Sequence, residues 1–239
     1  MQLSLRLSAI AEMVTQGNRL VDVGCDHGYL PVYLIQEKRI PSAIAADVGK
    51  GPLSRAQEHI SQYGLDKYIE TRLSDGLREI KKGEGDTLVI AGMGGPLMER
   101  ILTDGKEALC GFKELILQPQ SDIGHVRRFL FENGYQIIRE DSVLEEGKFY
   151  FIMKAVQGIR NPVWTEEEIE FGGLLLEKRH PILKQYLERE LRIRNEILIQ
   201  LRDASGASAV QLSLIHIWNM RKNYRRRGRQ KKRLRQMPV

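Results

Sequence analysis

Short apolar runs rich in β-branched residues alternate with amphipathic stretches of helical period across the first 155 or so residues. The runs Arg19 to Val23, Ala43 to Asp47, Ile69 to Leu73, Thr87 to Ala91 and Glu114 to Gln118 are expected strands. Between them, helices are expected over Pro52 to Tyr63, stopped by Gly64, over Pro96 to Thr103, stopped before Gly105, and over Asp122 to Asn133, stopped by Gly134. Such alternation predicts an α/β fold: an open, mainly parallel sheet with helices on both faces, whose ligands sit at the carboxyl ends of the strands. The last two runs break the rhythm. Tyr135 to Val143 and Lys148 to Ala155 are separated only by Leu144 to Gly147, too short for a crossover helix, so they should form an antiparallel hairpin at one sheet edge.

After Gly158 the pattern becomes charged helix. Thr165 followed by Glu168 is a capping box at a helix start, Gly172 and Gly173 loosen the next stretch, and Pro181 opens another helix. In that helix Leu187, Leu191, Leu198 and Leu201 fall on a heptad seam interrupted by Arg194, a coiled-coil-like pattern that needs a partner face. The expected division is therefore 1–157 for the sheet domain, 158–203 for a helical appendage and 204–239 for an atypical basic tail. Leu212 to Ile217 matches what one reading frame of a sequencing-transposon adapter encodes, so the tail is expected to be non-native.

Composition sharpens the picture in two places. The 239 residues carry a formal charge of +6, but ten of the 37 lysines and arginines lie from Arg221 onward with no acid among them, so residues 1–220 hold 27 basic against 31 acidic side chains. Binding to nucleic acid by the folded part would need a local patch rather than overall charge. Two cysteines, Cys25 and Cys110, make no disulfide framework, and His27, His59, His125, His180 and His216 show no metal-ligand spacing. No apolar run approaches the roughly 18 residues that span a bilayer, and Arg6 and Glu12 interrupt the amino terminus, so a soluble cytoplasmic protein without a metal is expected.

The candidate chemistry sits at the strand ends. Strand one runs into Asp22-Val23-Gly24-Cys25-Asp26-His27-Gly28, a small-residue turn that backbone and ligand can share closely. Asp47, ending strand two, stands where a carboxylate can take both ribose hydroxyls. Asp75-Gly76 after strand three suits an adenine edge, the carboxylate accepting from the exocyclic amine. Three successive strand ends would thus hold one adenosine-type cofactor. Acids in the turn repel a pyrophosphate and attract a sulfonium and an ammonium, which favours S-adenosylmethionine over a nicotinamide dinucleotide. The alternative is that Asp22 and Asp26 merely cap the next helix. Cys25 reads as a small residue in a tight turn, with a methyl-accepting thiol as the competing reading.

Four ordered blocks, Asp26-His27-Gly28-Tyr29-Leu30-Pro31, Ala91-Gly92-Met93-Gly94-Gly95, Leu115-Ile116-Leu117-Gln118-Pro119 and Phe171-Gly172-Gly173-Leu174-Leu175-Leu176, resemble those of the bacterial tRNA (adenine-22-N1)-methyltransferases, the TrmK family. The resemblance covers roughly residues 3 to 203; Gln120 departs from it, standing where some members carry Asn, and so does the tail after Asp203. It implies a Rossmann-like class I methyltransferase domain using S-adenosylmethionine, with S-adenosylhomocysteine as product, followed by a helical appendage that helps hold tRNA. On that basis the cofactor would be bound by Asp22, Gly24, Asp26, His27, Gly28, Asp47, Val48, Asp75, Gly76, Gly92, Met93 and Gly94, with Gly95 and Leu30 lining the same pocket.

Adenine N1 carries an in-plane lone pair and needs no strong base, so positioning can supply much of the catalysis, and oxygen atoms near the base would stabilise the cationic product. The candidate catalytic residues are Asp26, Tyr29 and Met93. Asp26 either stabilises that charge or holds the cofactor turn. Tyr29 either stacks on the target base or packs under the next helix. N1 lies on the pairing edge of the base, so the adenine must be splayed out, which needs grip on the RNA backbone. Candidate grips are Arg127, Arg128, Lys178, Arg179, Lys184, Arg189, Arg192 and Arg194, although charge on a helix is often only a solvated face and Glu188, Glu190 and Glu196 interleave. The alternatives are a nicotinamide oxidoreductase and a noncatalytic RNA-binding protein; a monomer is expected.

Overall fold

The computed structural model describes residues 1–158 and 164–203, in two compact units that divide after Val163. In the first unit, helix α1 (Leu5–Met13) precedes strand β1 (Leu20–Val23), helix α2 (Tyr29–Gln36), strand β2 (Ala43–Asp47), helix α3 (Lys50–Gln62) and strand β3 (Ile69–Leu73). Strand β4 (Thr87–Gly94), helices α4 (Gly95–Asp104) and α5 (Lys106–Leu109), strand β5 (Glu114–Ser121), helix α6 (Ile123–Glu132) and the strands β6 (Tyr135–Glu145) and β7 (Lys148–Gln157) complete it. The seven strands form one sheet in the order β3-β2-β1-β4-β5-β7-β6. The first five are parallel, and β7 enters antiparallel between β5 and β6.

Parallel strands covered on both faces must be apolar on both, and, Asp22 apart, the central ones are: every residue of β1 is buried, as are Leu88, Val89 and Ile90 of β4 and Leu115, Ile116 and Leu117 of β5. Alternation sends Val89 and Ile116 into the core shared with Ile10, Met13, Leu34 and Ile60 from α1, α2 and α3, while their neighbours serve the opposite face. Helices α1, α2 and α3 touch one another in sequence, and α4 touches both α5 and α6. The β6–β7 hairpin turns on Glu146 and Gly147 alone, both at positive φ (+48° and +76°), the conformation that suits a two-residue turn between twisted strands. The strands begin where expected except β1, which starts at Leu20 and not Arg19, and β4 and β5 each run three residues further, to Gly94 and Ser121. Their pairing shifts register between Ala91 and Met93 and again between Met93 and Gly94, so the glycine-rich segment stays in the sheet as an irregular strand end instead of leaving it.

The second unit opens with helix α7 (Glu166–Phe171), whose Thr165 and Glu168 form the expected capping box, and continues through α8 (Gly173–Lys178) and α9 (Pro181–Asp203). Leu175, Leu183, Leu187 and Leu198 are buried and Leu191 is half-buried. The Leu201 side chain, His216 and the whole of 204–239 lie outside the described residues. No helix among the described residues is long and apolar enough to cross a membrane.

Candidate active site

The end of β1 delivers Asp22 into the floor of a cavity of about 640 Å³. The backbone then turns through Gly24 at φ +79°, where a Cβ would run into the Met93 side chain, and through Asp26 at φ +45°, a left-handed conformation that costs a non-glycine residue about 1 kcal/mol or more. Helix α2 begins immediately, with left-handed Gly28 as its N-cap and no side-chain capping bond. Neither Asp22 nor Asp26 therefore caps it, and the capping alternative for the two acids falls.

Asp22 is 6% exposed and has no place to spread its charge; burial pushes its carboxyl up to about 7, with Arg6 pulling it down and Asp47 pushing it further up. Burial, reinforced by Asp22 and Asp47, also holds the Cys25 thiol above its ordinary range, so this cysteine is a protonated, inert filler of the turn and not a methyl-accepting thiolate. Asp26 points outward, 61% exposed, and pairs with Arg55 at 2.8 Å and with His27 at 3.6 Å. The cavity wall continues through His27, Tyr29, His59 and Tyr63 on one side and Ala91, Gly92 and Gln120 on the other.

Asp47, Val48, Asp75 and Gly76 lie outside that cavity, at the neighbouring ends of β2 and β3. Asp47 Oδ1 accepts from the Gly49 N–H at 2.8 Å, and Val48 is 70% exposed. Asp75 is held by Arg100 at 3.2 Å and Arg78 at 3.4 Å, and a Cβ on left-handed Gly76 would stand 2.9 Å from Ile101. An acidic row along three adjacent parallel strands, backed by an exposed apolar residue, offers the acceptors that the ammonium, hydroxyl and amine donors of an adenosine bearing a cationic tail require.

One candidate is corrected. Arg127 is 1% exposed and its Nε bonds Glu140 at 2.8 Å, a buried ion pair that joins α6 to β6; it cannot grip RNA. Arg128 is half-buried. On the second unit Lys178, Arg179, Lys184, Arg189 and Arg192 are exposed, and Arg194 is half-buried with its Nε 3.9 Å from Glu190. The sequence reading missed Arg6, Gln118, His59 and Tyr63. Arg6 reaches the cavity because α1 lies across it: Nη1 donates to Gln118 Oε1 at 3.1 Å, and the guanidinium sits 5.5 Å from the Tyr150 ring centre. Only the Leu-Ile-Leu-Gln-Pro block hinted at this, since a glutamine closing a wholly apolar strand must have a partner.

A methyltransferase-domain family model matches residues 3–153. The tRNA (adenine(22)-N(1))-methyltransferase of Bacillus subtilis (strain 168) is 36% identical over 210 residues, 86% of this chain and 88% of that protein. A Streptococcus pneumoniae protein put forward as a tRNA (m1A22) methyltransferase, solved with S-adenosyl-L-methionine, superposes with a TM-score of 0.83 at 32% identity over 92% of this chain and 99% of its own. M. capricolum TrmK, solved with S-adenosyl-homocysteine, superposes at 0.79 with 26% identity, over 94% of this chain and 98% of its own. A glycine turn with a buried acid at the end of the first strand, acids at the next two strand ends and these likenesses agree: the chain belongs to the methyltransferase family, in its TrmK group.

Proposed function

We propose that this protein transfers a methyl group from S-adenosylmethionine to N1 of an adenine in tRNA, the position-22 adenine named for its relatives. The observation that carries the reading is Asp22, a buried carboxyl kept near 7 at the floor of an open cavity, where a cationic ligand would replace the missing solvation. When bound, the cofactor supplies an electrophilic methyl on a sulfonium centre.

The chain's own residues do the rest. Asp22, Asp26 and the Gly24, His27 and Gly28 backbone would hold the amino-acid end; Asp47 would hold the ribose, and Val48, Asp75 and Gly76 the adenine. Gly92, Met93 and Gly94 would let the target base approach, with Tyr29 beside it and Asp26 facing the charge that develops on the base. For that last role Arg55 has to release Asp26, since their 2.8 Å pair already spends the carboxylate's charge. Lys178, Arg179, Lys184, Arg189, Arg192 and Arg194 would grip the RNA backbone, joined by Arg128. The acids of the turn disfavour a nicotinamide dinucleotide. A monomer at work in the cytoplasm, without a metal, belongs to the same reading. Among the described residues no group of three or more His, Cys, Asp or Glu is placed to hold a metal ion.

The test is transfer of labelled methyl from S-adenosylmethionine to unmodified tRNA, with a tRNA lacking the target adenine as control. 1-Methyladenosine from the intact tRNA alone supports the reading; S-adenosylhomocysteine binding with no methylated nucleoside overturns the enzymatic part of it.

A further inference from the structure

Four aromatic rings run in unbroken contact along one wall of the cavity, and the glycine turn accounts for only the first of them. His27 stacks on Tyr29 (centroids 5.2 Å apart, planes at 21°), Tyr29 meets the His59 ring edge-on at 4.9 Å, and His59 meets Tyr63 edge-on at 5.0 Å. The row thus begins at the turn after β1 and ends at the carboxyl end of α3, where Tyr63 is the C-cap. It is pinned from behind: His59 Nδ1 lies 3.1 Å from the His27 carbonyl oxygen, which fixes the middle ring against the turn.

A row of rings whose purpose was to fill the core would be buried, and this one is not. Tyr29 is 42% exposed and Tyr63 39%, and all four rings line the cavity. Beneath them the real core of α3 is made by Ala56 and Ile60, both fully buried. Exposed aromatic faces in a fixed row suit flat, apolar ligands with π-faces, and an RNA splayed open to expose one base leaves its neighbours unstacked as well. Arg6 offsets part of the negative charge that Asp22 and Asp26 bring to the same cavity, so it is the aromatic faces that would recognise the RNA there.

We propose that the outer end of this row, Tyr63 on His59, is a second base-binding subsite, which stacks the nucleotide adjoining the methylated adenine. The inner rings stay with the target, so the row sets the distance between the extruded base and its neighbour. The inference rests on the RNA-methylating reading for its ligand but makes a separate claim, about binding and not transfer.

The experiment measures the Kd of unmodified tRNA for the wild type, Tyr63→Ala and Tyr63→Phe, with S-adenosylhomocysteine affinity and Tm measured on each. Loss of one base–aromatic stack should weaken tRNA binding by roughly 5- to 100-fold in Tyr63→Ala, leave Tyr63→Phe near the wild type, and leave S-adenosylhomocysteine affinity unchanged. A tRNA with an abasic site on one side of the target adenine should bind the wild type more weakly and bind Tyr63→Ala no worse than the intact tRNA does. Tyr63→Ala binding tRNA within twofold of the wild type would overturn the proposal, as would a parallel fall in S-adenosylhomocysteine affinity, or abasic tRNAs on both sides that leave wild-type binding unchanged. Since no arm requires methyl transfer, a wild type that stacks the neighbour yet forms no 1-methyladenosine refutes the activity and leaves the subsite standing.

Discussion

Gln118 and Arg6 stand 112 positions apart in the chain, and the buried Gln118 amide oxygen accepts from Arg6 Nη1 and from the Gly92 N–H, each at 3.1 Å. One side chain thereby fixes both the irregular end of β4 and the cation above Asp22. Removing that acceptor in Gln118→Leu takes one hydrogen bond from each of two half-buried donors, a loss of about 1–3 kcal/mol in all. Urea unfolding should report that loss, and S-adenosylhomocysteine titration should show weaker binding, because Gly92 and Arg6 both border the cavity. Wild-type values on both measurements would show that solvent replaces the glutamine.

Cofactor binding should depend on pH through Asp22. Its carboxyl is raised to about 7 in the folded protein, so the empty site is half protonated near neutrality, and a cationic ligand must drive the proton off. Affinity for S-adenosylhomocysteine should rise from pH 6 toward pH 8, by at most about tenfold per unit below 7, and level off above it. In Asp22→Asn the affinity should be lower and this rise lost. Calorimetry in buffers of different ionisation heat would detect proton release. The unliganded protein should show the opposite trend: a carboxyl with a raised folded pKa binds more protons folded than unfolded, so its contribution to stability is lost as pH climbs from about 4 through 7.

The Arg127 and Glu140 side chains are 1% and 0% exposed. Arg127→Ala takes the guanidinium away from a buried carboxylate and should cost about 3–5 kcal/mol, visible as a large fall in Tm. Replacing both partners together, in Arg127→Met with Glu140→Leu, should recover most of it. A selective defect in tRNA binding by a normally stable Arg127→Ala would mean that the pair opens in solution.

Gly24→Ala tests the turn. A methyl group there meets the end of the Met93 side chain and sits at φ +79°, so either Met93 or the strained turn must shift where the cofactor would lie. S-adenosylhomocysteine binding should fall by an order of magnitude or more with a modest loss of stability; unchanged binding would place the ligand elsewhere.

Local pattern revealed the elements whose signals are local. Leu20, Val21 and Val23 are apolar on both faces because parallel strands are covered twice, and Thr165 and Glu168 cap a helix by contacts three residues apart. Asp22, Asp47 and Asp75 were readable because each stands at or just past the carboxyl end of a strand. Arg127 was misread because its partner lies across an α6–β6 contact that helical spacing cannot show. Helix α1 gave no expectation: Leu5, Arg6 and Leu7 stand in no clear period, and the segment matters only once it lies over the sheet. Tyr63 looked like a helix terminus, which it is; its second quality, contact with His59, comes from the ring's place in space.

Beneath β5 a compact polar knot holds the far end of α1. The Glu114 carboxylate takes Lys154 Nζ at 2.7 Å, Thr15 Oγ1 at 2.6 Å and Thr87 Oγ1 at 2.7 Å, and the same Lys154 donates to the Met13 carbonyl at 2.8 Å. Burial opposes ionisation of Glu114, yet these bonds outweigh it and hold the carboxyl below its ordinary range. The helix is therefore anchored at both ends: at Met13 and Thr15 by this knot, and at its start by the Leu5 N–H on Glu145 Oε1 at 2.6 Å and by Arg6 on Gln118, with Arg6 and Leu7 facing the cavity. A ligand that needs more room must therefore break the ties at Leu5 and Arg6 while the far knot holds, so α1 can only pivot about Met13 and Thr15 and cannot slide along the sheet.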